Sequence, residues 1–172
     1  DTGDIIIQKK SRLKKNNPIP YDYLINTQKI YINLLKQFVN LVENQNKLPQ
    51  KKQNHSKSTY YPLLNTEVNG AINWNLSVLE IERFIRAFSY PYPGAFTFKN
   101  KKTKISILKA EIFSHNDNFH PFLIGRIIRI INNKADVIVK DGILRILEIK
   151  VDGKKKKVSD ELSLVSRLNT PI

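Results

Sequence analysis

The chain has 172 residues and a formal net charge of +14, and it contains neither cysteine nor methionine. The absence of cysteine excludes disulfides and thiolate metal sites, and the scattered positions of His55, His115 and His120 give no metal-ligand spacing. No apolar run approaches the length of a membrane-spanning helix and no signal peptide is visible, so we expect a cytoplasmic protein with neither a metal nor a membrane partner.

The positive charge has two explanations. A basic chain suits nucleic acid or another anionic surface. However, the 22 lysines, like the many asparagines and isoleucines, have A/T-rich codons, whereas arginine occurs only seven times. Arginine is the side chain best suited to specific phosphate recognition. We therefore interpret most of the charge as codon bias.

The amino-terminal part predicts one strand and one long helix. An apolar run at residues 5–7, followed by Gln8, is typical of a short buried strand. Pro18 and Pro20 then mark a turn, and apolar residues recur on one face from residue 21 to 45. This period predicts an amphipathic helix packed on a core, with an apolar face formed by Leu24, Tyr31, Leu35, Phe38 and Val42.

A polar stretch after residue 45 predicts a linker or exposed loop. A second helix begins after it, because Ser77 and Glu80 have the spacing of a capping box. In that motif the serine hydroxyl accepts from the backbone amide of the glutamate, whose side chain reaches back to the serine amide. Pro91 and Pro93 end the helix, since proline cannot continue it.

From residue 95 onward the periodicity changes to that of strands. Predicted strands span residues 95–98, 104–113, 125–131, 135–140 and 143–151, with turn residues between them. Five short strands within about sixty residues indicate a small barrel or sandwich. The segment 159–168 at the end of the chain is predicted to be weakly helical.

Two polar stretches have both a functional and a structural interpretation. Asp1 and Asp4 flank Gly3 beside the predicted strand end, and short polar turns at strand ends often carry active-site residues in α/β folds. An ordinary solvated turn explains the same residues. Lys154, Lys155, Lys156 and Lys157 follow one another at a hairpin tip, where a solvated loop and a phosphate-binding patch are both consistent with the pattern.

The segment from Arg83 to Phe98 is the most unusual of the chain. Its two prolines, two tyrosines and one glycine lie between the second helix and the first strand of the sheet. Such a segment is stiff, and it either fixes two domains against each other or forms one wall of a substrate cleft. In the second case Arg86 would contact an anion.

Several motifs occur in the order found in one enzyme family. The stretch 1–6 (Asp-Thr-Gly-Asp-Ile-Ile), the stretch 70–74 (Gly-Ala-Ile-Asn-Trp), the stretch 86–95 with its Pro-Tyr-Pro-Gly-Ala ending, and Gly125 with the stretch 141–146 are its parts. Together they resemble the folate-dependent formyltransferases, the family that contains methionyl-tRNA formyltransferase and the sugar N-formyltransferases. Asn at position 73 replaces the family's usual Asp.

The resemblance implies an α+β chain that begins inside a Rossmann-like α/β domain. Residues 1–45 would be the strand and long helix that end the amino-terminal catalytic domain, residues 46–75 a linker, and residues 76–172 a five-stranded OB-like β-barrel. The chain starts within a structural element and without methionine, so we expect a fragment that lacks most of the catalytic domain.

The same resemblance implies the chemistry. In the family an Asn, a His and an Asp act on 10-formyltetrahydrofolate, and by position Asp1 matches the catalytic Asp. Asp1 and Gly3 would contact the folate donor, and the Asn and His would lie upstream. Arg86, Tyr90 and Tyr92 are the candidates for binding the substrate that carries the acceptor amine. Alone, the chain is expected to be inactive.

The acceptor is the least determined part of the hypothesis. The Ser-Tyr-Pro-Tyr-Pro-Gly-Ala linking motif and the ending at residues 166–171 resemble the sugar enzymes, which favours a nucleotide-linked amino sugar. The alternative is initiator methionyl-tRNA, with Lys154–Lys157 as the RNA contact. A third interpretation is a stand-alone basic OB-type module that binds nucleic acid. The oligomeric state is left open, with a homodimer as one option.

Overall fold

A computed structural model describes residues 2–44 and 47–170 of the chain. The chain divides into two compact units, Asp1–Leu63 and Leu64–Ile172, here called the amino-terminal and carboxy-terminal units. A long helix dominates the first unit and an antiparallel sheet the second. The predicted α+β class is therefore confirmed, and the second unit begins inside the stretch that the sequence suggests is a linker.

The amino-terminal unit is built around helix α1, which runs from Pro20 to Asn44. The Asp22 carboxylate accepts hydrogen bonds from the Lys15 ammonium at 2.8 Å and from the Ile19 amide at 2.9 Å. These two hydrogen bonds, in that order of importance, lower the pKa of the Asp22 carboxyl. The helix is thus predicted correctly from its period, yet none of its residues is buried.

The predicted strand at residues 5–8 is replaced by a single β-bridge. The Ile5 amide donates to the Lys51 carbonyl at 2.9 Å, and the Lys51 amide donates back at 3.0 Å. A buried strand needs a partner along several residues on both sides, and among the described residues Ile5 pairs only once, with Lys51. Ile6 accordingly remains 36% exposed.

The carboxy-terminal unit opens with a short helix α2 (Thr66–Asn69) and continues with α3 (Val78–Ala87). The capping box is present: the Glu80 amide donates to the Ser77 hydroxyl at 3.3 Å, and the Ser77 amide donates to the Glu80 carboxylate at 2.9 Å. The Asp141 carboxylate also accepts from the Val78 amide at 2.7 Å. This side of α3 buries Val78, Ile81 and Ile85.

Seven strands form one curled antiparallel sheet among the described residues. They are β1 (Ala95–Lys99), β2 (Thr103–His115), β3 (Ile127–Ile131), β4 (Lys134–Val139), β5 (Gly142–Val151), β6 (Lys154–Lys156) and β7 (Leu168–Asn169). The strand order is β3-β4-β5-β2-β1-β7, and β6 pairs with the last three residues of β5, Ile149 to Val151. The five predicted strands correspond to β1–β5 within a few residues, and β6 and β7 were not predicted.

The predicted helix at residues 159–168 is wrong for most of its length. Only α4 (Val158–Glu161) is helical, and β7 begins at Leu168. Leu168 is 2% exposed and its amide donates to the Gly125 carbonyl at 2.8 Å. Burial of this side chain and pairing of its backbone therefore override the weak helical preference of the segment.

The core lies between α3 and the sheet, and 21 buried hydrophobic residues of the described part of the chain belong to it. Ile72 and Trp74, which lie in the predicted linker, are 0% and 2% exposed and belong to this core. The Trp74 indole N–H donates to the Thr97 hydroxyl at 2.9 Å, and that hydroxyl donates to the Asn169 carbonyl at 2.9 Å. This relay ties β7 to the core.

The two ends of the sheet meet at Gly125. Its φ is +81°, and a Cβ at this position would lie 2.1 Å from the Leu168 carbonyl oxygen. Arg126 and Arg167 form an antiparallel bridge at the same point. Only glycine allows this approach, because it has no Cβ and accepts a positive φ.

Candidate functional site

Of the predicted folate contacts, Asp1 lies outside the described residues and Gly3 lies in an open part of the amino-terminal unit. The Gly3 carbonyl accepts from the Gln53 amide nitrogen at 2.6 Å. No atom lies within 4 Å of the place where a Gly3 Cβ would stand. Their predicted roles in catalysis and donor binding stay predictions.

Arg86 lies on the last turn of α3 and pairs with Glu82 one turn earlier. Its Nε donates to one carboxylate oxygen at 3.0 Å and a terminal nitrogen donates to the other at 3.2 Å. A bidentate pair of this kind fixes the direction of the guanidinium and matches its charge. The predicted anion contact through Arg86 would have to share the side chain with Glu82.

Tyr90 and Tyr92 lie on the turn between α3 and β1 and are 61% and 50% exposed. The turn is fixed by backbone hydrogen bonds, from the Tyr92 amide to the Ser89 carbonyl and from the Gly94 amide to the Phe88 carbonyl, both at 3.0 Å. The stiff segment inferred from sequence thus presents both rings to solvent. A role as a hinge and a role in acceptor binding both remain consistent with this geometry.

Lys154–Lys156 form the edge strand β6, and all four lysines from Lys154 to Lys157 are exposed. The Lys155 ammonium lies 2.9 Å from the Glu148 carboxylate. Lysines on an edge strand discourage pairing with another chain. This lysine run therefore has a structural explanation that requires no RNA.

A second basic surface was not predicted. We call Lys101, Lys102, Phe122, Arg126 and Arg167 the basic–aromatic cluster. The guanidinium carbons of Arg126 and Arg167 lie 5.2 and 5.5 Å from the centroid of the Phe122 ring. Phe122 is 59% exposed, Arg126 is exposed and Arg167 is half-buried.

The turn between β1 and β2 brings the two lysines to this surface. The Asn100 amide donates to the Arg167 carbonyl at 2.8 Å, and the Arg167 amide donates to the Asn100 side chain at 2.9 Å. The Lys101 amide donates to the Asn169 side chain at 3.1 Å. These hydrogen bonds fix the turn against Arg167 and Asn169, and Lys101 and Lys102 are exposed.

The cluster carries an uncompensated positive charge. Within residues 2–44 and 47–170, none of the ion pairs includes Lys101, Lys102, Arg126 or Arg167. Arg167 Nε donates to the Ile124 carbonyl at 3.2 Å. Like charges directly opposite each other on neighbouring strands are unfavourable, so an added anion would stabilise this arrangement.

A third group consists of two arginines that share one buried carboxylate. Asp136 is 2% exposed, and its carboxylate accepts from Arg129 Nε at 2.5 Å and from Arg145 Nε at 2.7 Å. Burial alone would raise the pKa of the Asp136 carboxyl, but the hydrogen bonds from Arg145 and Arg129 outweigh it and lower the pKa. Both guanidinium groups also lie over the Phe113 ring, at 4.5 and 4.0 Å.

The sequence contains only part of the signal for these surfaces. The run Lys-Asn-Lys-Lys-Thr-Lys at residues 99–104 is as visible as the run at 154–157. Arg126 and Arg167, in contrast, are far apart in sequence and meet only through the pairing beside Gly125. No periodic pattern predicts that pairing.

Two classes of site find no candidate in the part of the chain that the structure describes. No group of three or more His, Cys, Asp or Glu side chains there could hold a metal ion. No helix within it is long and apolar enough to cross a membrane.

Comparison with known proteins identifies relatives over most of the chain. The family model described as "Formyl transferase, C-terminal domain" matches residues 66–162. A methionyl-tRNA formyltransferase of Rickettsia prowazekii (strain Madrid E) is 33% identical over 160 residues, which are 90% of this chain and 47% of the relative. One from Caldicellulosiruptor saccharolyticus is 29% identical over 157 residues, or 91% of this chain and 48% of the relative. The chain thus spans about half the length of these relatives.

A solved structure shares the fold. The crystal structure of a HypX variant from Aquifex aeolicus superposes with a TM-score of 0.50 at 16% identity. The match covers 74% of this chain and 21% of that protein. At this identity the likeness concerns the fold alone.

Proposed function

Because the chain belongs to the formyl transferase family, as its carboxy-terminal part, we propose that it is part of an N-formyltransferase that uses 10-formyltetrahydrofolate and formylates the amino group of initiator methionyl-tRNA. The observation that carries the proposal is the alignment of about nine-tenths of the chain with proteins named methionyl-tRNA formyltransferase. The chain covers about half of each, so the activity of the whole protein is part of the proposal.

This acceptor differs from the amino-sugar nucleotide that the linking motif suggests. Both relatives described above are named methionyl-tRNA formyltransferase. They therefore support initiator methionyl-tRNA, which is the alternative acceptor in the sequence analysis. The uncompensated charge of the basic–aromatic cluster also favours a polyanion, since a long phosphate backbone can contact several cations at once. A nucleotide sugar offers only one diphosphate.

In this proposal the amino-terminal unit ends a Rossmann-like catalytic domain. Helix α1 exposes nine large apolar side chains, between 36% and 64% each: Tyr21, Tyr23, Leu24, Tyr31, Ile32, Leu35, Phe38, Val39 and Val42. An amphipathic helix of a globular domain normally covers such a face with a core, and the described residues of this unit supply none. The rest of the α/β domain is the cover we propose.

The carboxy-terminal unit is proposed to be the OB-like domain that holds the acceptor RNA. Its curled sheet, with ends that meet at the Arg126–Arg167 bridge, is consistent with a small barrel. Arginines close to an exposed aromatic ring are typical of proteins that bind single-stranded nucleic acid. The residue range of the family match, 66–162, lies within this unit.

The formyl donor is expected from the family and supplies the one-carbon group. Of the two residues proposed to contact it, Gly3 has open surroundings and Asp1 lies outside the described residues. Asp1 is proposed to orient an upstream histidine and to raise its pKa through a nearby negative charge. No catalytic step follows from the residues 2–44 and 47–170 themselves.

The test is an acceptor comparison. The gene is read upstream of the Asp1 codon, and the resulting protein is incubated with 10-formyltetrahydrofolate and either initiator methionyl-tRNA or nucleoside-diphosphate amino sugars. We expect formylation of the tRNA and none of the sugars, and no transfer by residues 1–172 alone. Formylation of an amino sugar without formylation of the tRNA would restore the other acceptor.

A further inference from the structure

We propose that the basic–aromatic cluster is the surface that holds the phosphate backbone and an unpaired base of the acceptor RNA, and that the Lys154–Lys157 run is not. The inference rests on the proposed function, because it takes tRNA as the ligand. It goes further by assigning RNA binding to particular residues among the 29 basic side chains of the chain.

The positive charge of Arg126 and Arg167 favours a phosphate ligand. Arg126 and Arg167 are held opposite each other by the backbone bridge, and no ion pair of the described residues compensates either of them. Each guanidinium carries a fork of N–H donors that can bind a phosphate in bidentate form, and both groups lie within 5.5 Å of the same ring centroid. The other sheet arginines, Arg129 and Arg145, are already satisfied by Asp136.

The exposed ring of Phe122 favours an unpaired base as the second part of the ligand. Phe122 is 59% exposed, although Ile124, two residues later, belongs to the core. A phenyl ring flanked by guanidinium groups is a platform on which an unpaired base can stack, whatever its identity. The 3′ end of a tRNA acceptor arm is single-stranded and has such bases.

Hydrogen bonds hold Arg167 and Phe122 in place before any ligand binds. The Asn100 amide donates to the Arg167 carbonyl and the Asn100 side-chain oxygen accepts from the Arg167 amide, while Arg167 Nε donates to the Ile124 carbonyl. Phe122 lies in a short 3₁₀ turn in which its own amide donates to the His120 ring nitrogen at 3.2 Å. Groups fixed before binding lose little conformational entropy on binding.

The Lys154–Lys157 run lacks these features. One of its side chains, Lys155, is paired with Glu148 at 2.9 Å, and none of the cation–π pairs among the described residues includes a lysine of the run. Lysine is a flexible point charge, and its place on an edge strand has a structural reason.

The experiment measures the affinity of residues 1–172 for initiator tRNA over a series of salt concentrations. The variant R126Q/R167Q should bind more weakly, and the slope of log K against log salt should flatten by about 0.7 to 0.9 for each phosphate that is no longer neutralised. The matched control K154Q/K155Q/K156Q/K157Q removes twice as many charges and should leave the slope nearly unchanged. A larger flattening in the control than in the arginine variant would overturn the assignment.

Two further variants separate charge from stacking and folding. R126K/R167K keeps both charges, so its salt slope should stay close to that of the parent chain, while its affinity falls because lysine cannot bind a phosphate in bidentate form. F122A should weaken binding at every salt concentration with no change of slope. Equal binding by F122A and the parent chain would overturn the stacking role, and thermal melts of every variant establish that the fold is retained.

Two readouts distinguish this inference from the proposed function. If the longer protein fails to formylate methionyl-tRNA while R126Q/R167Q still weakens RNA binding, the proposed function is wrong and the assignment of the RNA-binding surface is supported. If formylation proceeds and R126Q/R167Q leaves the KM for methionyl-tRNA unchanged, the assignment of the surface is wrong and the proposed function is supported. Vesicles of phosphatidylserine and phosphatidylcholine should not bind, and vesicle binding that R126Q/R167Q abolishes would reassign the cluster to an anionic membrane.

Discussion

The two units of the chain contain similar helical signals and use them differently. Helix α1 of the amino-terminal unit has a regular apolar face, but none of its residues is buried. Helix α3 of the carboxy-terminal unit is less than half as long and buries Val78, Ile81 and Ile85 against the sheet. An apolar period thus predicts that a helix forms and which face is apolar, but it does not say what covers that face.

The two units also differ in their cations. Arg12 is the only arginine before residue 64, and the other six lie in the carboxy-terminal unit. Three of those six have carboxylate partners, since Arg86 pairs with Glu82, and Arg129 and Arg145 pair with Asp136. Arg126 and Arg167 instead share the Phe122 ring, and no carboxylate of residues 2–44 and 47–170 forms an ion pair with either. The arrangement of the arginines, rather than the number of lysines, identifies the surface.

Among the changes that test this comparison of the two units, Trp74→Ala should cause the largest loss of stability. The indole is 2% exposed and donates to Thr97, so its removal should lower the free energy of unfolding by about 4 kcal/mol, because it leaves a cavity and removes a hydrogen bond. The matched change Leu35→Ala on α1 should cost less than about 0.5 kcal/mol in this chain. Urea unfolding of residues 1–172 measures both, and equal losses would refute the contrast.

The same Leu35→Ala change sharpens the comparison in the longer protein. If a catalytic domain covers the apolar face of α1, Leu35 is buried there and its truncation should cost about 2 to 3 kcal/mol. Unfolding measurements on the longer protein test this. A cost as small as in the isolated chain would mean that the face stays uncovered.

Gly125→Ala should be next in size. The new Cβ would lie 2.1 Å from the Leu168 carbonyl oxygen at a φ of +81°, so β7 must move, and we expect a loss of about 3 kcal/mol. Gly153→Ala, with a φ of +75° and no atom within 4 Å, carries only the conformational cost of about 1 kcal/mol. Gly3→Ala in the amino-terminal unit should be neutral. Thermal unfolding ranks the three, and a different order contradicts the close approach.

Asp136→Asn tests the buried charges. This change leaves Arg129 and Arg145 facing each other, with an expected cost of about 3 kcal/mol at neutral pH. Because the pKa of the Asp136 carboxyl is lowered in the folded chain, its stabilisation is present above the unfolded pKa of about 3.9 and is lost as the pH falls through the folded value. The Asn variant should lack that part of the acid dependence. Asp22→Asn, at an exposed pair, should change stability less.

Ser77→Ala should cost less than Trp74→Ala, Gly125→Ala and Asp136→Asn. It removes the hydroxyl that accepts from the Glu80 amide, which is worth about 1 kcal/mol at a helix amino terminus. Asp141 still accepts from Val78, so helix α3 should persist. Circular dichroism with urea unfolding measures the change, and a loss as large as that of Trp74→Ala would show that the cap does more than close one helix.

Local chemistry made much of the fold predictable. The capping box at Ser77 and the period-two pattern of β1–β5 depend on residues close in sequence, and both are present in the structure. The strand expected at residues 5–8 and the helix expected at 159–168 were wrong, because each depended on whether distant residues pair with it. Ile5 has one partner, and Leu168 has Gly125.

The sequence by itself therefore determined the family, the order of α1, α3 and β1–β5, and the face that each of these two helices keeps apolar, since these follow from spacing along the chain. It offered the lysine run at residues 154–157 and the aromatic turn with Tyr90 and Tyr92 as candidate binding surfaces. Only the tertiary structure decided that Arg126 and Arg167 meet on the Phe122 ring while Lys155 pairs with Glu148. Strand register sets these positions, and register depends on burial and on close approaches such as that at Gly125, which no local pattern encodes.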